Sequence, residues 1–430
     1  MAFHCNLWYY SYYNIMNEVE KMIQIAILGY GVVGSSIVQV LEENRRHIEN
    51  QAGCAISVKK VLDIRNFSHE LGALYTNDFE TILQDSEIRI IAEAIGGVEP
   101  AYSYIKQALL AGKHVCTSNK EVVSKYGAEL LLVAKKQNIN FMFEASVGGG
   151  IPVVRPINLA LTTDEIISVS GILNGTSNYM LTQMQNLNKS YNEALIEAQQ
   201  LGFAESDPTA DVGGFDACRK LAILMSIATG KQVNCEDIPT YGIQEIDEAD
   251  FAFARAFEFT LKPMVDGYIT KSGISAISSP MLVHQSSPFF TIQGVYNGVV
   301  VVSKTTGTVM FYGQGAGKFP TAGAVISDIV DITKHLHTHV QFNWLSEKNN
   351  VLHSDAYVTR KLIRVSYECR DKLAEHAKTA SIIELPDYPG QAAWITEPET
   401  QELFENGLKI IRILRIFDDK RNLNKGVIEC

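Results

Sequence analysis

Short apolar runs ending in glycine or polar residues alternate with helix-periodic stretches through the first third of the chain. Residues 23–28 form one such run, and a helical pattern from the glycines behind it reaches about Arg46. Further runs at 56–62, 88–94, 114–117 and 139–143 read as buried strands, with helices at 100–111 and 121–137 between them. Strands alternating with helices in this way predict an α/β, Rossmann-type doubly wound sheet over residues 22–150.

The pattern then changes. A strand at 166–173 breaks at Asn174-Gly175-Thr176, and helices follow at 177–187 and 191–201. An acidic loop leads into a helix opening at Phe215, whose apolar positions Leu221, Leu224, Met225 and Ala228 share one side. Alternating apolar runs within 252–302, including 289–292 and 299–302, predict an antiparallel sheet, so 151–312 is an α+β domain. Residues 313–340 read as a glycine loop feeding a helix at 320–332 back to the first domain. Strands at 361–367, 381–385, 392–395 and 409–417, with helices at 371–379 and 397–405, predict a small separate ferredoxin-like domain over 350–430.

At 430 residues and 46% hydrophobic, the chain has enough apolar sequence for two or three cores. Its net charge of −11 argues against a nucleic-acid partner. No apolar stretch approaches the length of a membrane span, which argues against a membrane partner. Seven scattered cysteines without a C-x-x-C pair fit a reducing compartment, and cytoplasmic placement is the expectation. Residues 1–21 are aromatic and lack a signal-peptide pattern; a start at Met16 or Met22 would open the chain on its first strand, so 1–21 is an extension outside the fold.

The first candidate chemistry is Gly29-Tyr30-Gly31-Val32-Val33-Gly34, placed between strand and helix. In that context Gly29 permits a tight turn, Gly31 admits a pyrophosphate, and Gly34 lets the helix pack closely. The second strand ends in Asp63-Ile64-Arg65. An acid there suits the ribose hydroxyl of NAD, and an arginine the 2′-phosphate of NADP. Both are present, and an arginine able to swing outward tips the expectation to NADP. Gly96, Gly97, Ser118, Asn119 and Lys120 end later strands and should face the same crevice.

The second is Asp216 with Lys220, four residues apart on one helix face, near Glu205 and Asp211. Such a pair is either an exposed ion pair or a proton-handling site. His335, His337 and His339 alternate, and a solvated linker is a stronger reading than a metal site.

From residue 23 to residue 331 the chain resembles homoserine dehydrogenase. The matching blocks are GYGVVG (29–34), TSNK (117–120), FEASVGGGIP (143–152), GILNGTSNYML (171–181), AQQLGFAESDPTADVGGFDACRKL (198–221) and YGQGAGKFPTA (312–322). The resemblance implies NAD(P)H-dependent reduction of L-aspartate 4-semialdehyde to L-homoserine, on the route to threonine and methionine. It implies that Lys220 donates a proton to the aldehyde oxygen beside Asp216, with Lys120 as a second lysine. Glu205, Asp211, Gly175 and Thr176 would line the substrate pocket. Gly29, Gly31, Val32, Val33, Gly34, Asp63, Arg65, Gly96, Gly97, Ser118, Lys120 and Gly315 would meet the cofactor. Glu144, Val147, Gly149 and Ile151 stand where the family holds a sodium ion. A homodimer or homotetramer is implied, through the antiparallel sheet. The C-terminal domain resembles an ACT domain, with Glu368-Cys369-Arg370-Asp371 replacing the usual Asp-x-Pro-Gly.

Two other classes stay open at this point. A phosphorylating semialdehyde dehydrogenase would need a cysteine nucleophile with a histidine base, and neither Cys116 nor Cys218 has an obvious partner. A non-catalytic nucleotide sensor would have no need of Lys220 and Asp216, yet both are present.

Overall fold

Ile23, Ile25, Ile27 and Leu28 are fully buried in the computed structural model of the protein, as a strand covered on both faces requires. The structure describes residues 22–353, 357–370, 382–397 and 409–418. These form two compact units. One comprises residues up to 146 with 318–342; the other comprises 147–317 with the chain from 343 onward.

The first unit holds strands β1 (Met22–Leu28), β2 (Ala55–Leu62), β3 (Tyr75–Thr76), β4 (Ile88–Glu93), β5 (His114–Thr117) and β6 (Phe141–Met142). Their order is β3-β2-β1-β4-β5-β6, and every pairing is parallel. This is the doubly wound dinucleotide-binding order, which reverses between β1 and β4. The helix behind β1 runs Val32–Glu43, stops at Asn44, and is followed by a second helix, Arg45–Ala52. The Lys318–Lys334 helix returns to this unit, placing Val325, Ile326 and Ile329 in the core with Ile25, Ile27 and Ile37.

The second unit is built on a nine-stranded mixed sheet. In chain order its strands, with one separate pair, are β7 (Ile166–Ile172), β8 (Lys231–Gln232), β9 (Phe259–Thr270), β10 (Gly273–His284), β11 (Tyr296–Ser303) and β12 (Gly307–Gln314). They continue as β13 (Leu345–Lys348), β14 (Lys361–Ser366), β15 (Ile383–Glu384), β16 (Gln391–Ile395) and β17 (Ile410–Ile416). The sheet order is β12-β11-β7-β9-β10-β17-β14-β16-β15, while β8 and β13 pair separately. Apolar alternation placed β9 to β11 correctly in kind, with two corrections, while β12 lies beyond the expected runs and takes in Gly313 and Gln314 of the expected loop. Residues 289–292 form a turn, and Ala252 lies in the Glu248–Ala256 helix, which a two-residue capping box at Asp247 and Asp250 starts.

The C-terminal strands differ from the expected separate domain. β17, β14, β16 and β15 form an antiparallel set with the ferredoxin-like strand order. Yet β17 pairs in parallel with β10, and Leu362, Leu414 and Ile416 share a core with Met180, Phe253 and Leu282. The helices expected at 371–379 and 397–405 fall outside the described residues, apart from Glu397, as does 1–21.

Three local signals moved element edges. Asn174 caps a helix that begins at Gly175, earlier than expected, by accepting the Ser177 N–H at 2.8 Å. Asn119 does the same for the Lys120–Lys136 helix through Val122. Pro152 starts no helix; helical turns begin two residues later, at Val154, and continue through Pro156–Ala160.

Candidate active site

In the first unit the glycine motif is fixed by close approach. Gly29 has φ 94°, and a Cβ there would lie 2.8 Å from the Ala94 carbonyl oxygen. A Cβ on Gly34 would lie 1.8 Å from the Gly29 oxygen, so any side chain would push the helix off the strand. At Gly31 the nearest atom to such a Cβ is Arg65 Nη2, at 4.0 Å, and at Gly96 and Gly97 nothing lies within 4 Å. A side chain at these three positions would occupy the space that a dinucleotide needs, so the residues fit that cofactor. Val32, 68% exposed, and Val33 open the helix whose N-terminal amides face an anion in this fold.

Asp63 and Arg65, rivals in the sequence reading, are partners here. Arg65 Nε donates to Asp63 Oδ1 at 3.0 Å and Nη2 to Oδ2 at 2.9 Å, while the Tyr30 N–H reaches Oδ2 at 2.7 Å. The guanidinium pair, followed by the Arg65 and Tyr30 backbone N–H groups, holds the Asp63 carboxyl down at about 2. Arg65 is therefore folded onto Asp63 instead of swung outward, with its guanidinium 5.0 Å above the Phe67 ring and its side chain 60% exposed.

At the ends of β4 and β5, Asn119 Nδ2 donates to the carbonyls of Ile95 (2.9 Å) and Gly97 (2.7 Å). Ser118 and Lys120 are half-buried, Lys120 at the first position of its helix. Sequence reasoning passed over Glu93, which is fully buried at the end of β4. The available signal was an acid closing an otherwise apolar strand at its carboxyl end.

In the second unit the Phe215–Thr229 helix carries Asp216 and Lys220 into the interior, with side chains 2% and 9% exposed. That burial removes the exposed-ion-pair reading. Lys220 Nζ lies 2.9 Å from Asp216 Oδ2 and donates to the Leu173 carbonyl at 2.8 Å, just beyond the end of β7. Asn174 Nδ2 donates to Asp216 Oδ2 (2.9 Å) and to Asp211 Oδ1 (2.7 Å). Asn174 was not among the candidates; its signal was a cap residue directly before Gly175-Thr176.

Gly175 and Thr176 lie in the first turn of the helix that Asn174 caps, and the Thr176 hydroxyl donates to the Phe203 carbonyl at 2.5 Å. The Asp211 backbone oxygen accepts the Ser177 hydroxyl at 2.7 Å. Glu205 is exposed on the loop, its backbone oxygen accepting Gln199 Nε2 at 3.1 Å. The structure thus gathers Lys220, Asp216 and Asp211 around Asn174, and leaves the Glu205 carboxylate facing solvent.

Gly148 to Ile151 form a tight turn, closed by Ile151 N–H donating to the Gly148 oxygen at 2.9 Å. Gly149 and Ile151 belong to this turn and Val147 directly precedes it, all in the second unit; Glu144 belongs to the first, where its N–H meets Asp328 Oδ2 at 2.9 Å. Gly149 has φ 57°, and a Cβ there would lie 2.5 Å from the Gly315 oxygen. Gly315 is within the second unit, and the return to the first begins at Lys318.

Both cysteines considered as nucleophiles are buried. Burial pushes the Cys218 thiol up to about 12 and the Cys116 thiol well above its ordinary value. Neither is a thiolate at neutral pH. His335 Nδ1 lies 3.2 Å from Asp331 Oδ1, and His339 Nδ1 lies 2.7 Å from the Ile139 oxygen. Among the described residues no group of three or more His, Cys, Asp or Glu is placed to hold a metal.

A doubly wound parallel sheet with a glycine phosphate turn, joined in one chain to a unit burying a lysine–aspartate pair, defines a nucleotide-dependent oxidoreductase. Models of "Homoserine dehydrogenase, NAD binding domain" and "Homoserine dehydrogenase" match residues 29–144 and 152–330. The homoserine dehydrogenase of Bacillus subtilis is 36% identical over 371 residues, covering 84% of this chain and 85% of that protein. That of Synechocystis is 40% identical over 320 residues, covering 72% and 73%. The crystal structure of a homoserine dehydrogenase from Thiobacillus denitrificans superposes with TM-score 0.79 at 31% identity, covering 95% of this chain and 94% of that one. A hyperthermophilic archaeal homoserine dehydrogenase mutant, solved in complex with NADPH, matches with TM-score 0.62 at 26% identity, covering 73% and 98%. The chain belongs to the homoserine dehydrogenase family. Its reaction is the NAD(P)H-dependent interconversion of L-aspartate 4-semialdehyde and L-homoserine, a step of amino-acid biosynthesis. Among the described residues no helix is long and apolar enough to cross a membrane.

Proposed function

We propose that Lys220 is the proton donor to the aldehyde oxygen and that Asp216 holds its ammonium in place. Bound nicotinamide supplies the hydride. As the aldehyde carbon receives it, the carbonyl π pair moves to oxygen, and a proton from Lys220 Nζ converts that alkoxide to the alcohol of homoserine. The single observation that carries this reading is a buried ammonium held by one carboxylate and one carbonyl, both acceptors. Asn174 fixes Asp216 and Asp211 together, and Asp211, Gly175 and Thr176 border that place. Glu205, on its exposed loop, is the acid for the substrate ammonium.

For the cofactor we propose NADP over NAD. Asp63 already accepts from Arg65 and Tyr30 on both oxygens, which leaves the exposed guanidinium to meet a 2′-phosphate. Gly29, Gly31 and Gly34 hold the pyrophosphate end, and Gly96, Gly97, Ser118 and Lys120 the far end. In the second unit the backbone oxygens of Val147, Gly149 and Ile151 are the proposed holders of a sodium ion. The Gly148–Ile151 turn, where only backbone fits, supports oxygen donors of that kind.

The same reading makes the product a precursor of threonine and methionine, the enzyme cytoplasmic, and the assembly a homodimer or homotetramer through the mixed sheet. Five described cysteines are free thiols, in keeping with a reducing compartment. Residues 22–150 serve the cofactor, 151–312 catalysis and assembly, 313–340 the return. Residues 350–430 act as an ACT-like module continuous with the catalytic sheet.

Homoserine oxidation assayed with each cofactor tests the assignment. Lys220→Ala should lose about 10²–10⁴-fold in kcat while still binding dinucleotide. Near-normal turnover would remove Lys220 from the mechanism.

A further inference from the structure

We propose that Glu93 is a positioning residue of the cofactor crevice, its carboxylate locking the Ile95–Gly97 turn after β4 to the Ser118–Lys120 turn after β5. This rests on the assignment of those two turns to the dinucleotide, and gives a role to a buried acid that the reaction above does not use.

The hydrogen bonds run in one direction only. The Ile95 N–H donates to Glu93 Oε1 at 2.6 Å, and the Thr117 hydroxyl donates to Oε2. To an ionised carboxylate, which can only accept, that hydroxyl is the donor, and Thr117 Oγ1 in turn accepts the Asn119 N–H at 2.9 Å. The Ser118 N–H reaches the Glu93 backbone oxygen at 3.3 Å. Asn119 closes the frame, spanning the Ile95 and Gly97 carbonyls and capping the Lys120 helix. Each carboxylate oxygen thus meets a donor, so the ionised acid is the form the frame is built for. A protonated acid or a glutamine could keep the Thr117 contact only by reversing it, which would take from the Thr117 hydroxyl proton the carboxylate oxygen it now meets.

Burial opposes that ionised form. Glu93 is fully buried, and desolvation raises its pKa to about 7 against the pull of Thr117, Ile95 and Asn119. The ionisable groups around it are Cys116 on β5, whose thiol is raised by burial and then by Asp328 and Glu93, and Asp328 itself on the Lys318–Lys334 helix. Among the described residues no lysine or arginine pairs with Glu93. The frame therefore changes protonation close to neutrality, and both turns respond together.

The test measures dinucleotide dissociation constants by fluorescence titration of the full-length enzyme across about pH 6 to 9. Wild type should bind about tenfold more weakly at the acid end, and Glu93→Gln should bind weakly and without that slope. Thr117→Val should reproduce part of the loss, Thr117→Ser should restore it, and Glu93→Gln with Thr117→Val should lose less than the two separate losses combined. In turnover, the loss should fall on KM for the cofactor more than on kcat. Wild-type affinity and slope in Glu93→Gln would overturn the proposal; should that variant not fold, equal binding by Thr117→Val and Thr117→Ser would do so. Gly96→Val, whose side chain would enter open space, checks the underlying assignment. Undiminished binding there overturns the cofactor role of the turn and this proposal with it. Weakened binding there with an unaffected Glu93→Gln overturns the Glu93 role alone.

Discussion

Lys220 and Asp216 meet at 2.9 Å through Asp216 Oδ2, the same atom that accepts Asn174 Nδ2 at 2.9 Å. Two elements thus converge on one oxygen: the Phe215–Thr229 helix supplies the pair, and the residue just past β7 fixes its orientation. Replacing Asp216 by Asn keeps the shape but removes the charge facing the ammonium. Its kcat should fall by about 10²-fold with little change in dinucleotide affinity, as measured in initial-rate assays. Unchanged kcat would mean that Lys220 needs no carboxylate beside it.

Arg65 touches Asp63 through two parallel N–H bonds, so its removal frees the acid for a ribose hydroxyl. Arg65→Ala should raise KM for NADP by about tenfold or more and leave NAD use equal or improved. Equal losses with both cofactors would show that Arg65 does not read the 2′ position.

Arg364 is fully buried, pairing with Asp247 at 2.6 Å and Asp250 at 3.3 Å, while Arg412 reaches Asp250 at 3.2 Å. These bonds tie β14 and β17 to the cap of the Glu248–Ala256 helix. Arg364→Leu leaves the buried Asp250 with Arg412 as its one cation and Asp247 with none, and should cost about 3–5 kcal/mol in denaturant unfolding. A loss under about 1 kcal/mol would show that the surface, not the core, satisfies those acids.

His114 is buried on β5, and its Nδ1 accepts the Asn140 N–H at 3.1 Å. Burial, with Arg89 nearby, lowers its pKa from 6.5 to about 4. The unfolded chain gains a proton on falling below 6.5, whereas the folded form refuses it until about 4. Stability should therefore drop across that window, by an amount of order 3 kcal/mol. His114→Gln should show a shallower drop in urea unfolding followed from about pH 7 to 4, and an identical drop would assign the acid sensitivity elsewhere.

Periodicity and glycine placement in the chain already determined five of the six strands of the parallel sheet, all but the two-residue β3, and the antiparallel character of β9 to β11. These follow from local rules: a strand alternates or is apolar throughout, and only glycine fits at Gly29 and Gly34. The Asp216–Lys220 spacing also named the right helix face. What the sequence could not reach was set by distance along the chain. Whether that pair was solvated or buried depended on Leu173 and Asn174, more than 40 residues away. Asp63 and Arg65 read as alternatives until backbone geometry made them one bidentate pair. The C-terminal strands carried a self-contained pattern, yet the pairing of β17 with β10 fused them to the catalytic sheet. Local spacing specifies which residues share a face; only tertiary packing decides what that face meets and whether water is excluded from it.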